Sequence, residues 1–324
     1  ISLIVTPSGA SAVNFEHSPM DGATLIRMMN DSWHDAQGLQ SGKEMPDHVA
    51  ECTWPVLTIQ PLEFDLSEKV ETTIMEAAAA FTRVREVTRV HAFQFSNFGA
   101  KEIKSWGVGP DGTLQMAFQL AYYRMHGKTD ISVYSSASTK RFRYGRTEAA
   151  RCTSVESVAF VKAMAHTTNA HGDGGGDGDG DGDGDVLRTL LKRAVEKHRE
   201  TSRLAGQGKG VDRHLFALQR MSQSSASPAS VDELFGKYYE KHQKSTLSTS
   251  NCSVFGPAVI TPGFGAVCSD GYGLGYVIKN DSVDVCITNY TDDPNTGGAG
   301  FGGVKQTANV GSFDTDSTRF GLEV

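Results

Sequence analysis

No apolar run among these 324 residues approaches the roughly 20 residues that a helix needs to cross a bilayer. Cysteine is scarce. Cys52, Cys152, Cys252, Cys268 and Cys286 are scattered, odd in number and form no CxxC pair. That pattern argues against a disulfide framework and against a zinc site, and it favours a reducing compartment. Basic residues form no stripe of the kind that tracks a phosphate backbone, so nucleic acid is not an expected partner. The formal charge is -7, but six aspartates lie in one Gly/Asp tract between Gly172 and Asp185 and account for all but one of those charges. The remainder of the chain is nearly neutral, and its charge selects no class of partner.

What is present is the composition of a soluble globular protein, 39% hydrophobic and 21% charged, with length enough for two ordinary domains. Ser2–Val5 and Ala12–Glu16 read as short strands, the second from the alternation of Val13 and Phe15 with Asn14 and Glu16. Gly22–Trp33 reads as a helix with Leu25, Met28 and Met29 on one face. Glu68–Val87 reads as an alanine-rich helix with Ser67 placed to cap it, and Val90–Ser96 as a strand. Pro110 and Asp111 open a helix with a buried stripe of Leu114, Ala117, Phe118 and Ala121, closed by Gly127. The Gly172–Asp185 tract holds no apolar residue, so it is expected to be a disordered insert; a calcium-binding repeat would need a periodic bulky residue to build a core. A periodic helix with Leu187, Leu190, Leu191 and Ala194 on one face follows it. Gly297–Gly303 is a second glycine-rich tract, expected to be flexible. Strands alternating with helices predict an α/β architecture.

Between Tyr134 and Arg151 the chain carries seven hydroxyl side chains and five cationic ones. Hydroxyls donate in one direction and guanidiniums add charge, which suits a small ligand bearing a carboxylate better than it suits a core. An ordinary Ser/Thr/Arg run would be a solvated strand edge. This one resembles the carnitine/choline acyltransferases, whose pattern here is close to LQLAYYR followed by YESAS and GRT, as in Gln119–Arg124, Tyr134–Ser138 and Gly145–Thr147. Further blocks extend the resemblance in order along the chain: Asn14-Phe-Glu-His-Ser18 with Asp21-Gly22, Asp212-Arg-His-Leu215, Leu247-Ser-Thr-Ser250, Phe264-Gly265 with Asp270-Gly-Tyr-Gly273, and Asp314-Thr-Asp-Ser317 with Arg319-Phe320. Ala266 stands where the family usually has proline.

The resemblance implies chemistry for particular side chains. His17 is the general base of an acyl transfer between a thioester and a hydroxyl, a task suited to an imidazole near neutral pH. Asp21 is its acidic partner and is also placed to cap a helix. Ser250 donates to the oxyanion of the tetrahedral intermediate; no GxSxG elbow surrounds it, so it is not a nucleophile, and transfer is direct. Tyr134, Ser136, Thr147 and Arg213 hold carnitine, with Phe264 near its trimethylammonium group. Choline lacks the carboxylate, and the family's choline enzymes lack the matching arginine and threonine, so Arg213 and Thr147 favour carnitine. Lys101, Lys104, Asp111 and Asn251 fall at coenzyme A positions. Ala100 occupies the usual place of the first lysine, with Lys101 one residue on, and Asn251 departs from the usual Gln or Thr. Without the motif, both lysines read as ordinary exposed side chains.

The implied fold is a pair of chloramphenicol-acetyltransferase-like domains with a tunnel between them. The first is expected to be incomplete, as residues 1–60 carrying the catalytic histidine, and the second to span 61–324. The chain begins at Ile1 and shows no targeting segment, which is read as the later part of a longer protein. Carnitine and acyl-coenzyme A are the expected partners, with no tightly bound cofactor, a monomeric state, and room for peripheral membrane association. Within the family the chain is most similar to the mitochondrial, matrix-side branch handling long acyl chains, and the small Pro262-Gly263 pair before Phe264 leaves room for such a chain. A peroxisomal medium-chain or a short-chain enzyme is the alternative, and a non-catalytic fragment is the rival from outside enzymology.

Overall fold

The computed structural model describes residues 1–40, 61–170, 181–222, 235–253, 256 and 258–293, with the side chains of 39–40, 168–170 and 181–183 left aside. It has a mixed α/β architecture, as the alternation of strands and helices predicts. The chain divides into two compact units, residues 1–86 with 254–260, and 87–253 with 261–324. The division expected near residue 60, the Gly297–Gly303 tract and the Asp314–Phe320 motif fall outside the described residues.

The first unit opens with an antiparallel hairpin of β1 (Ser2–Val5) and β2 (Ser11–Asn14), in register Ser2↔Asn14 through Val5↔Ser11. Helix α1 runs from Gly22 to Gln40, well past the expected end at Trp33, and buries Leu25 and Ile26 rather than the two methionines, of which Met28 is exposed. Nothing between Trp33 and Gln40 is proline, so no residue there forces a stop. Asn30 accepts from the amide of Ala258 at 3.0 Å, fixing the returning segment to this helix. Helix α2 (Glu68–Val87) starts where expected; the Ser67 carbonyl accepts from Val70 and Glu71.

The second unit is built on a six-stranded sheet: β3 (Thr88–Phe95), β4 (Val133–Ser138), β5 (Thr147–Arg151), β6 (Leu247–Asn251), β7 (Tyr272–Ile278) and β8 (Val283–Tyr290), in the spatial order β3-β8-β7-β6-β4-β5. The central β4, β6 and β7 are parallel; the remaining pairs are antiparallel. Strands β7 and β8 are buried on both faces over their first six residues.

A short helix α3 (Ala100–Ser105) docks on the β7–β8 turn, its Ala100 and Lys101 amides donating to Lys279 and Asn280. Helix α4 (Pro110–His126) follows, with Pro110 in its first turn and Gly127 ending it in the left-handed conformation at φ 66°. Its expected stripe is only half right. Phe118 and Ala121 are buried, but so are Gln115, Met116, Gln119, Leu120 and Tyr122, whereas Leu114 and Ala117 are only partly covered. The cause is two-sided packing. Phe118, Ala121 and Tyr122 join the sheet core of Tyr272, Leu274 and Tyr276; Met116 and Leu120 join a second core with α5 (Val155–Ala170) and α6 (Asp181–Leu204). A helix sandwiched between two layers loses the one-sided periodicity of a surface helix.

Helix α6 buries Leu187, Leu191 and Ala194 as its period predicts, with Leu190 partly covered. Its first residue is Asp181, so the last part of the Gly/Asp tract is helical, not a disordered insert reaching Asp185; residues 172–180 lie outside the described structure. Near that end of the helix Asp185 pairs with Arg188 at 3.4 Å. A π-type turn at Ala205–Lys209 then leads to α7 (Asp212–Ser222), and α8 (Lys237–Gln243) precedes β6.

Candidate active site

Strand periodicity sorts the motif residues by face. On β4, Tyr134, Ser136 and Ser138 share one face, and Val133, Ser135 and Ala137, all buried, share the other. The parallel register Tyr134↔Ser248 continues that first face onto β6 as Ser248 and Ser250. The antiparallel register Ser138↔Thr147 and Tyr134↔Arg151 continues it onto β5 as Thr147 and Arg151. Tyr134, Ser136, Thr147, Ser248 and Ser250 therefore line one side of three adjacent strands. Thr249 points to the opposite side, where Gln115 of α4 donates to its hydroxyl at 2.8 Å and its own hydroxyl donates to the Tyr134 carbonyl at 2.8 Å. The Ser-Thr-Ser triplet thus presents its outer two hydroxyls to the polar face and uses its middle one in the frame.

On the polar face of β7 the partners of Ser248 and Ser250 are Gly273 and Gly275. Added Cβ atoms there would lie 2.8 Å from the Phe264 carbonyl and 2.4 Å from the Pro262 carbonyl. These glycines exist because the segment carrying Phe264 crosses the sheet in backbone contact. The Thr288 hydroxyl donates to the Phe264 carbonyl at 2.6 Å, and Tyr290 donates to the Ala266 carbonyl at 2.9 Å. Gly263 is packed as closely: a Cβ on it would meet Cys286 Sγ at 3.0 Å. Packing on β8 is therefore a sufficient reason for a small residue at that position.

Arg213 follows Asp212 at the start of α7, and its charge acts on the Tyr134 phenol. Burial raises the Tyr134 phenol above its ordinary value, against the opposing pull of the Arg213 and Arg151 charges. Ser250 is half-buried near Cys252, whose thiol burial pushes up while Ser250 works the other way. In the first unit His17 is exposed beyond the end of β2. Its Nδ1 lies 4.0 Å from Asp21 Oδ1, and its ring stands 5.5 Å from that of Phe15. Asp21 is buried directly before α1, and its carbonyl accepts from Thr24.

The coenzyme A candidates divide. Lys101 and Lys104 project from α3, both exposed. Asp111 and Asn251 are bonded to each other: Asn251 donates to Asp111 Oδ1 at 2.7 Å, Tyr276 donates to the same oxygen at 2.6 Å, and His198 Nε2 lies 2.8 Å from Oδ2. Burial raises the Asp111 carboxyl, but these partners overcome it and hold the group below its ordinary value. Sequence reasoning missed this hub and a second one around Arg151. Arg151 donates to Asp212 at 2.7 Å, Ser245 at 2.9 Å, Ser132 at 3.1 Å and Gln243 at 3.4 Å. Burial raises Asp212, yet His242, 3.2 Å away, and the Arg151 guanidinium bring its carboxyl down to about 2. The signal was present, since Arg151 closes the hydroxyl-rich block and Asp212 opens the next one, but their pairing spans 61 residues.

The Choline/Carnitine O-acyltransferase family model matches residues 1–304. Mitochondrial carnitine O-palmitoyltransferase 2 of Homo sapiens is 31% identical over 290 residues, 89% of this chain and 41% of the relative. A putative mitochondrial carnitine O-acetyltransferase of Saccharomyces cerevisiae is 31% identical over 312 residues, 89% of this chain and 43% of the relative. Carnitine O-acetyltransferase of Columba livia is 29% identical over 300 residues, covering 92% and 44%. The chain spans about two fifths of the length of the curated relatives it matches. With nearly the whole of it under one family model, the chain belongs to the choline/carnitine O-acyltransferase family.

Proposed function

We propose that the protein carrying this chain is an enzyme that moves an acyl group reversibly between coenzyme A and the hydroxyl of carnitine. One observation supports the choice of alcohol: the Arg213 charge acts on the Tyr134 phenol, which shares the polar face of the sheet with Thr147, four register positions further along. A guanidinium and two hydroxyls form a receptor for a carboxylate, which carnitine has and choline lacks. In this reading His17 takes the proton from the carnitine hydroxyl as its oxygen attacks the thioester carbonyl, with Asp21 as the acidic partner. Ser250 donates to the oxyanion that forms. Collapse of the tetrahedral intermediate breaks the carbon–sulfur bond, and His17 returns the proton to the departing thiolate. No acyl-enzyme and no tightly bound cofactor are required. Ser136 joins the carnitine set, Phe264 offers its ring to the trimethylammonium, and Lys101 and Lys104 meet coenzyme A phosphates, with Asp111 and Asn251 shaping that end of the site.

The fold implied is the chloramphenicol-acetyltransferase-like pair, with residues 1–60 the end of the first domain and 61–324 the second. A long acyl chain and a mitochondrial setting accord with the naming of the human relative, and a medium chain and a matrix-side setting rest on the motif resemblance; the acetyltransferase naming of the yeast and pigeon relatives at similar identity supports a short-chain reading. No described helix is long and apolar enough to cross a membrane, and a monomer with peripheral membrane contact completes the proposal. The test is an assay of carnitine and choline as acceptors with acetyl-, octanoyl- and palmitoyl-coenzyme A. Carnitine-dependent transfer is expected, and Arg213→Asn should raise carnitine KM by about 30-fold or more, as truncating one partner of a charge pair does, while leaving weak choline use unchanged. Choline used as well as carnitine by the wild type would refute the assignment.

A further inference from the structure

We infer that Arg151 is a positioning residue, acting through Asp212, that sets the mutual placement of Tyr134 and Arg213; this rests on the carnitine reading of those two side chains. The geometry gives one guanidinium a grip on both. Its carbon stands 5.6 Å from the centroid of the Tyr134 ring, over its face, so the cation supports the phenol directly. Its Nε donates to Asp212 Oδ2 at 2.7 Å, and Asp212 is the residue that precedes Arg213. The pair is buried, with side-chain exposures of 13% for Arg151 and 2% for Asp212. Arg151 is itself held from three more directions, by Ser245, Ser132 and Gln243.

The start of α7 is pinned a second time from the same strand. The Arg213 amide donates to Glu148 Oε1 at 3.1 Å. Gly210, in the lead into α7, lies so close to Glu148 that an added Cβ would meet its Cγ at 2.3 Å. Strand β5 therefore holds the first turn of α7 by two side chains, Glu148 and Arg151, and Thr147 is the residue next to the first of them. Without Arg151, Asp212 keeps His242 at 3.2 Å and Gln243 at 3.3 Å, both from α8 rather than from β5. The tie between the strand bearing Thr147 and the helix bearing Arg213 is then reduced to the Glu148 contact. A carboxylate receptor built from two elements loses affinity when their spacing drifts, whereas the thioester chemistry at Ser250, on β6, is untouched by that drift.

The experiment is steady-state kinetics on the full-length protein with carnitine and acyl-coenzyme A varied separately, for Arg151→Gln, Arg151→Lys and Asp212→Asn. Arg151→Gln is expected to raise carnitine KM by about tenfold or more, with kcat and acyl-coenzyme A KM within about threefold of wild type. Arg151→Lys should recover part of the loss, because a lysine reaches Asp212 but not all the other partners. The decisive arm is the double variant. In an Arg213→Asn background, Arg151→Gln should add less than about twofold to carnitine KM, since there is no longer a guanidinium to place. An additive tenfold effect in that background, or equal damage to kcat and both KM values, would overturn the inference. So would failure of all three single variants to fold, which would make the pair purely structural. Wild-type protein without carnitine-dependent transfer refutes the carnitine reading and this inference together; wild-type transfer with an unmoved KM in Arg151→Gln refutes this inference alone.

Discussion

The buried Arg151–Asp212 pair makes a quantitative prediction about acid stability. Asp212 has a carboxyl brought from the ordinary 3.8 to about 2 in the folded chain. A depressed carboxyl contributes stability above its unfolded value and loses it as pH falls through the folded value. The window is therefore about pH 4 down to about pH 2. A tenfold difference in proton affinity between folded and unfolded chain is worth about 1.4 kcal/mol, so Asp212 contributes roughly 2 kcal/mol at neutral pH that vanishes across that window. Its near-complete burial, 2% exposed, keeps solvent from screening this away. In Asp212→Asn the amide cannot ionise and Arg151 is left without its counter-charge. At neutral pH the variant should be destabilised by about 3 kcal/mol or more, as for other broken buried pairs. As pH falls from 5 to 2, the gap between wild type and variant should narrow by about 2 kcal/mol. Urea melts followed by circular dichroism at pH 7, 5, 4, 3 and 2 measure both curves. A gap that stays constant from pH 5 to 2 would refute the assignment of a depressed carboxyl to Asp212, whatever its size at neutrality.

Other expectations are independent of that pair. Ser250→Ala should lower kcat by about 10²–10³ with carnitine KM little changed, because an oxyanion donor acts in the transition state; a pure KM effect would make Ser250 a binding residue. His17→Ala should reduce turnover by at least about 10² while coenzyme A still binds, and near-normal turnover would remove it from the mechanism. Gly275→Ala places a Cβ 2.4 Å from the Pro262 carbonyl, so the segment carrying Phe264 must move; a loss of about 1–3 kcal/mol in thermal unfolding is expected, and an unchanged melting temperature would show that the crossing is looser than the structure has it.

Much of this is legible in the sequence because it is local. The strand after Ala12 and the strand around Val90 announce themselves by alternation, and the ends of α4 by Pro110 and Gly127. What is not legible depends on partners far along the chain. Leu114 and Ala117 resemble core positions because a helix with one buried face would place them there, but α4 has two. Asp111 and Asn251 carry a motif that speaks only of ligand contact, yet they bond each other across 140 residues, with Tyr276 and His198 completing a hub that no periodicity reveals. In sequence Arg151 is one cation among five in its block. Only the register of β5 beside β4 and the entry of α7 show that it is turned to Asp212. The start of α6 inside the Gly/Asp tract follows from cooperativity: once Leu187 and Leu191 are buried, the helix propagates back into residues that would not nucleate one.

The alternation along β4 and β6 has a consequence for how this protein can change. Positions 134, 136, 248 and 250 look toward the polar side, and positions 135 and 249 look toward α4. If the polar side is the acceptor site proposed above, a mutation at one of the former would alter recognition more than the packing beneath it, and a mutation at one of the latter would do the reverse. On that reading neighbouring codons would be under different selection: change toward a new acceptor alcohol would proceed at every second position while the intervening ones stay fixed. A randomised library confined to the first set would be expected to keep most of its members folded, and one that also opened 135 and 249 would be expected to lose them.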